Sequence, residues 1–126
     1  ERFPAADRII VARPDRYLRE EDEAGRLDHR TVIACLGHDP KIDDPALIAA
    51  LRSNCFYIGA LGSRKTHGKR LERLAAAGFG EADVKRIHAP IGLDIGAVSP
   101  SEIAVAIMAE ITAQLRLPPK EKEEAA

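Results

Sequence analysis

The sequence predicts an α/β fold: a Rossmann-like parallel sheet flanked by helices, with too few strands within these 126 residues to complete a doubly wound domain. Three observations carry the prediction. The runs Arg8 to Val11, Thr31 to Leu36 and Phe56 to Leu61 are short and apolar without alternation, as strands covered on both faces read. Segments with helix-start signals and helical apolar spacing lie between and after them. Glycine turns stand where the second and third of these strands end.

Taken in order, Arg8 to Val11 is the first expected strand, ended by Pro14. Asp15 to Arg30 is rich in charge, with Tyr17, Leu18 and Leu27 as its only bulky apolar residues, and predicts a short surface helix or an irregular connection. Thr31 to Leu36 is the second strand. Asp44 as N-cap and Pro45 at the first helical position predict a helix through about Ser53, with Leu47, Ile48 and Leu51 on one face. Phe56 to Leu61 is the third strand. A helix over Arg64 to Ala77 follows, with Leu71, Leu74 and Ala75 as its apolar stripe and Gly78 in the stop position. A short helix is expected from Glu81 to Arg86. The capping box Ser99-Pro-Ser-Glu102 then introduces Ile103, Ile107, Ile111 and Leu115 at helical spacing. Residues 1–117 form the expected domain, and 118–126, which lack apolar residues large enough to order them, a disordered tail.

Composition narrows the function classes. Nineteen Lys plus Arg against 20 Asp plus Glu give a net charge of −1, which argues against a nucleic-acid partner and against electrostatic recruitment to a membrane. No apolar run approaches the roughly 20 residues needed to span a bilayer, and no signal-like segment opens the chain, so a cytoplasmic protein is expected. Cys35 and Cys55 have neither zinc spacing nor a disulfide framework and read as buried free thiols. The chain opens on Glu1 rather than methionine, as a fragment of a longer protein would.

In open parallel sheets ligands bind beyond the carboxyl ends of the strands, and three polar segments are expected to converge there. The first is Gly37-His38-Asp39, where His38 offers a proton carrier or ligand beside a turn-forming carboxylate. The second is Gly59 to Thr66, which reads as an anion cradle. Gly59 and Gly62 permit positive φ and close backbone approach, Ser63 is a natural N-cap, and Arg64, Lys65 and Thr66 add charge and a hydroxyl at the positive end of a helix. The third is Pro90-Ile-Gly92-Leu-Asp94-Ile-Gly96, where two glycines let backbone approach a flat ligand and Asp94 can accept hydrogen bonds from its amino groups. No spacing of histidines or cysteines predicts a metal site. The dinucleotide fingerprint G-x-G-x-x-G is absent, which opposes an NAD(P)-binding oxidoreductase domain; a non-ligand-binding interaction domain is the other alternative.

Tyr57 to His67, Arg70 to Leu74, His88 to Ala97, Pro100 to Ala104 and Ala109 to Ile111, in that order, resemble the C-terminal Rossmann-like domain of the XdhC/CoxI family, accessory factors for xanthine dehydrogenase and related molybdenum hydroxylases. The resemblance runs from about Arg2 to Leu115. It implies a non-catalytic maturation factor that binds the molybdenum cofactor (molybdopterin) transiently, assists its sulfuration, and helps deliver it to the apo-enzyme. The implied partners are apo xanthine dehydrogenase or a related molybdoenzyme and a cysteine desulfurase; a homodimer is expected separately, because an incomplete sheet leaves an edge and an apolar face for a second copy to cover. On that basis the cofactor's phosphate is expected at Gly59 to Thr66 and its ring system over Gly92 to Gly96. Longer members carry an N-terminal domain with a cysteine proposed to touch the cofactor; Cys35 and Cys55 do not match its position. At Leu36-Gly37-His38-Asp39 relatives more often read Thr-His-Asp.

Overall fold

The computed structural model describes residues 5–117. Its elements, in chain order, are α1 (Pro14–Glu23), β1 (Val32–Cys35), α2 (Pro40–Arg52), β2 (Tyr57–Ala60), α3 (Arg64–Ala76), α4 (Glu81–Val84), β3 (Ile87–His88) and α5 (Pro100–Arg116). The three strands form one parallel sheet in the order β1-β2-β3, with Val32 opposite Tyr57 and Ile58 opposite Ile87. This is the expected Rossmann-like layer of three strands and flanking helices.

Alternation along β2 assigns the two faces of the sheet. Ile58 and Ala60 join Ile33, Ile87, Leu47, Ala50, Leu51 and Leu74 in one apolar cluster, so α2 and α3 cover a single face. Leu47, Ile58 and Leu74 are at most 1% exposed, and each such side chain contributes about 1.5–3 kcal/mol by leaving water. Tyr57 and Gly59 point the other way, toward α5. That helix is set by the expected capping box, in which Ser99 Oγ accepts from Glu102 N and the Glu102 carboxylate accepts from Ser99 N. Only Ala106 of α5 is fully buried, while Val105, Met108 and Leu115 are exposed.

Several expectations change. Arg8 to Val11 forms no strand and lies exposed, because no neighbouring strand among the described residues supplies the hydrogen-bond ladder that holds an extended segment in a sheet. The third strand of the sheet is instead Ile87–His88, which follows the segment expected as a Glu81 to Arg86 helix, itself helical only over Glu81–Val84. Helix α2 starts one turn early, at Pro40, because Asp39 rather than Asp44 caps it by accepting from Lys41 N; Pro45 then sits inside the helix, without a bond to the Lys41 carbonyl. Finally, Val32 and Ala34 of β1 are exposed on the side facing away from α2, since α5 does not reach across them. In α3 Leu74 is buried as expected but Ala75 is not, and the inward stripe runs His67, Arg70, Leu71, Leu74. The expected tail, 118–126, lies outside the described residues.

Candidate functional site

The carboxyl edge of the sheet carries two clefts, one on each side of the start of α3. The narrower, about 210 Å³, lies between the loop after β1 and the inward side of α3 and is lined by Gly37, His38, Asp43, Leu61, Gly62, Thr66 and Arg70, among others. The wider, about 540 Å³, lies between Arg64, the loop Pro90 to Ala97 and the α5 residues Ile103, Ala106 and Glu110.

The residues expected at the site divide between them. His38, Gly62 and Thr66 line the narrow cleft; Arg64, Pro90, Gly92, Asp94 and Gly96 line the wide one. Asp39, Gly59, Ser63 and Lys65 line neither. Asp39 is engaged as the α2 cap and Ser63 as the α3 cap, its Oγ accepting from Thr66 N at 3.1 Å. Gly59 departs from expectation: it has no positive φ, and lies inside β2 where a Cβ would stand 2.4 Å from Ile91 Cδ1. It is a packing glycine. Gly62, by contrast, has φ +130 and turns the chain between β2 and α3 as expected.

At the start of α3 the Arg64 and Lys65 N–H groups have no acceptor among the described residues, and both side chains are exposed. Free amides, dipole and two cations make an anion-accepting surface there. Across the wide cleft the loop after β3 is pinned to α5. Leu93 N donates to Ala106 O at 3.0 Å, and Gly92 N donates to Glu110 Oε1 at 2.9 Å. Gly92, at φ +97, admits this approach, since a Cβ would sit 3.1–3.2 Å from Ala106 and the Ile107 N. The same Glu110 oxygen accepts from Tyr57 Oη at 2.5 Å, and Glu110 Oε2 lies 3.5 Å from His88 Nδ1, whose ring stacks on Tyr57. Burial first, then the bond to Glu110, pushes the Tyr57 phenol well above its ordinary range.

The narrow cleft also contains residues to which the sequence assigns no part in the site. Arg70 is 4% exposed; its Nη2 donates to Leu61 O at 3.1 Å and its Nη1 to His67 Nδ1 at 3.2 Å, leaving Nε buried without a partner. Because an arginine only donates, His67 Nδ1 is the acceptor and that ring is neutral, consistent with burial and then Arg70 lowering its pKa. Asp43, 9% exposed, makes no side-chain hydrogen bond or ion pair among the described residues. At the rim, Asp44 accepts from Arg73 at 2.5 and 3.3 Å, so those charges cancel. Cys35 lies beneath: burial first and then the Asp43 charge push its thiol up to about 11, against Arg70. The signal for these residues is positional. Asp43 precedes Leu47 by four, Arg70 precedes Leu74 by four and Glu110 follows Ala106 by four, so each is a charge on an inward stripe.

No group of three His, Cys, Asp or Glu among the described residues is placed to hold a metal ion, and no described helix is long and apolar enough to cross a membrane. The family model of the XdhC Rossmann domain matches residues 1–111. The chain is 35% identical over 94 residues to the molybdenum cofactor insertion chaperone PaoD of Escherichia coli (strain K12), covering 75% of this chain and 29% of the relative. It is 34% identical over 109 residues to a probable xanthine dehydrogenase subunit of Bacillus subtilis (strain 168), covering 86% and 30%. A crystal structure described as a xanthine dehydrogenase from Bacillus halodurans superposes with a TM-score of 0.70 at 29% identity, over 92% of this chain and 31% of that one. The chain thus spans under a third of the length of these relatives. With its sheet order, its glycine turn and a family match over most of its length, the chain belongs to the XdhC Rossmann-domain family.

Proposed function

We infer that this chain is the Rossmann-like domain of a cytoplasmic accessory factor that binds the molybdenum cofactor and assists its sulfuration and insertion into xanthine dehydrogenase or a related molybdenum hydroxylase. The name of the Escherichia coli relative supports the cofactor, and that of the Bacillus subtilis relative the client enzyme. The observation that carries the assignment is the start of α3, where the N–H groups of Arg64 and Lys65 have no acceptor among the described residues, both side chains are exposed, and Arg64 lines the wide cleft. The cofactor's terminal phosphate dianion suits that surface through charge and through hydrogen bonding. When bound, the cofactor itself supplies the redox-active molybdenum. The chain binds and orients: Thr66 and Gly62 border one side of the phosphate surface, and the pinned loop Pro90 to Gly96 walls the other. A cysteine desulfurase as sulfur donor and a second copy of the chain as a dimer partner belong to the same proposal.

The test is an anaerobic titration of the chain with molybdenum cofactor, with NADH as competitor. Arg64→Ala with Lys65→Ala is expected to weaken cofactor binding by about 100-fold or more, as the loss of two charge-assisted contacts of about 1.5–3 kcal/mol each would. Unchanged affinity in that variant, or displacement of the cofactor by NADH, overturns the assignment. Light scattering checks the dimer, and a strictly monomeric species removes it.

A further inference from the structure

The narrow cleft holds two buried, opposite charges that do not pair with each other. Arg70 is 4% exposed with an orphaned Nε, and Asp43 is 9% exposed with an unpartnered carboxylate. Arg70 Nε is out of water without a partner, which is costly, whereas the unpartnered Asp43 oxygens reach the water of the cleft and are open to a ligand there. A brace for the Leu61 carbonyl needs one neutral donor, not a guanidinium, so the loop contact does not account for the charge. With Asp44 and Arg73 cancelling at the rim, the interior offers one anion facing one cation. A free phosphate is repelled by Asp43 and a simple cation by Arg70. What fits is an uncharged ligand with donors on one edge and an acceptor on another. Size narrows it further: 210 Å³ is the share of about seven waters, below the roughly 300–1,000 Å³ of sites for drug-sized ligands, so it holds a flat ring rather than a whole dinucleotide.

We propose that the cleft between Gly37–Asp43 and α3 is a recognition site for a 2-amino-4-oxopyrimidine ring, the edge shared by pterins and guanine, with Asp43 accepting from the ring N–H and exocyclic amine and Arg70 donating to the ring carbonyl. This edge matches a carboxylate with two parallel donors and turns its oxygen toward the guanidinium. Gly37 keeps the carboxylate accessible, since a Cβ there would stand 2.8 Å from Asp43 Oδ1. The proposal rests on the accessory function for the identity of a pterin. It moves the ring from the Gly92 to Gly96 loop, where Asp94 is exposed and its carboxylate would compete with water. Phosphate at the start of α3 and ring in the narrow cleft share Gly62 and Thr66 as the border between them.

Fluorescence titration of the chain with 6-hydroxymethylpterin, lumazine and guanosine tests it. Lumazine replaces the amine with a carbonyl oxygen, which would face the Asp43 carboxylate. Pterin is expected to bind about tenfold or more tightly than lumazine, and Asp43→Asn and Arg70→Lys to weaken pterin by a similar factor. Lys69→Ala, exposed on the same helix, is expected to change nothing. The comparison of the two ligands uses the unaltered chain, so it stands even if an Arg70 variant fails to fold. Guanosine binding more tightly than pterin, with the same loss in Asp43→Asn, keeps the site and identifies its ligand as a guanine nucleotide. Equal binding of pterin and lumazine, no binding of any of the three, or pterin affinity unmoved by Asp43→Asn overturns the proposal. Whole cofactor bound equally by the unaltered chain and Asp43→Asn refutes this cleft while sparing the accessory function; amine-sensitive pterin binding without cofactor binding does the reverse.

Discussion

Gly59→Ala separates a packing role from a ligand-contacting one. The added Cβ would stand 2.4 Å from Ile91 Cδ1, 2.5 Å from Ile91 Cγ1 and 2.9 Å from Tyr57 Cε2. Ile91 is 8% exposed and Tyr57 1%, so neither swings freely into solvent. Overpacking of this kind costs about 1–3 kcal/mol, while restricting the unfolded chain at a position of ordinary φ offsets about 0.4–1 kcal/mol, leaving a net loss of about 1–2 kcal/mol. Urea unfolding followed by circular dichroism reads this directly: with a slope of about 1–3 kcal/mol/M the midpoint drops by roughly 0.5–1 M. The clash also predicts its own relief. Ile91→Ala alone costs about 2–5 kcal/mol, but combined with Gly59→Ala it removes the two nearest of the three atoms the new methyl meets, so the pair falls short of additivity by about 1 kcal/mol or more. Ligand affinity of the folded Gly59→Ala chain is expected to match the parent. Unchanged stability with weakened cofactor binding would refute the packing account and return Gly59 to the ligand edge.

Arg86 donates to the carbonyls of Leu51, Ser53 and Cys55 at 2.8–3.2 Å, closing the end of α2; Arg86→Met is expected to cost about 2–4 kcal/mol and to speed amide exchange in the last turn of α2. Tyr57, its phenol raised by burial and then by Glu110, stays protonated in the folded chain when the unfolded chain begins to ionise near pH 10, so stability is complete below that pH and declines above it. Thermal unfolding between pH 8 and 11 should show the decline, and Tyr57→Phe should flatten it. Cys35, with its thiol pushed up to about 11, is expected to alkylate with iodoacetamide at pH 8 far more slowly than a free cysteine, and faster in Asp43→Asn, where the second-largest cause of the shift is gone.

What could be read in the sequence followed from local chemistry. Ser99 and Glu102 form their capping box within four residues, and α5 starts where they say. Thr31 to Leu36 and Phe56 to Leu61 contain β1 and β2 because both runs are apolar enough to be buried strands. Arg8 to Val11 looked the same, but a strand also needs a neighbour to pair with, and this depends on the whole sheet. Ile87–His88 gives no sequence signal because two residues carry no periodicity; pairing with β2 makes them a strand. Among candidate ligand residues, Gly62 and Thr66 line a cleft, whereas Asp39, expected at the site, caps α2 in place of the expected Asp44, a choice that only the fold makes. Asp43, Arg70 and Glu110 are not legible as inward-facing in the sequence, because charges on a helix ordinarily face solvent, and their direction is set only once packing fixes the apolar stripes around them.

Glu110 holds α5 by a polar tether to Tyr57 and Gly92, while much of the helix's apolar surface remains exposed. A helix retained in this way can lift from the sheet at a free energy below that of global unfolding, whereas α2 and α3 cannot leave the opposite face without dismantling the apolar cluster. Native-state amide exchange should therefore report two tiers, with α5 opening early and β2 late. The wide cleft has a yielding wall and the narrow cleft a fixed one, so under the proposed function a bulky cofactor would be admitted and released on one side while its ring is held on the other.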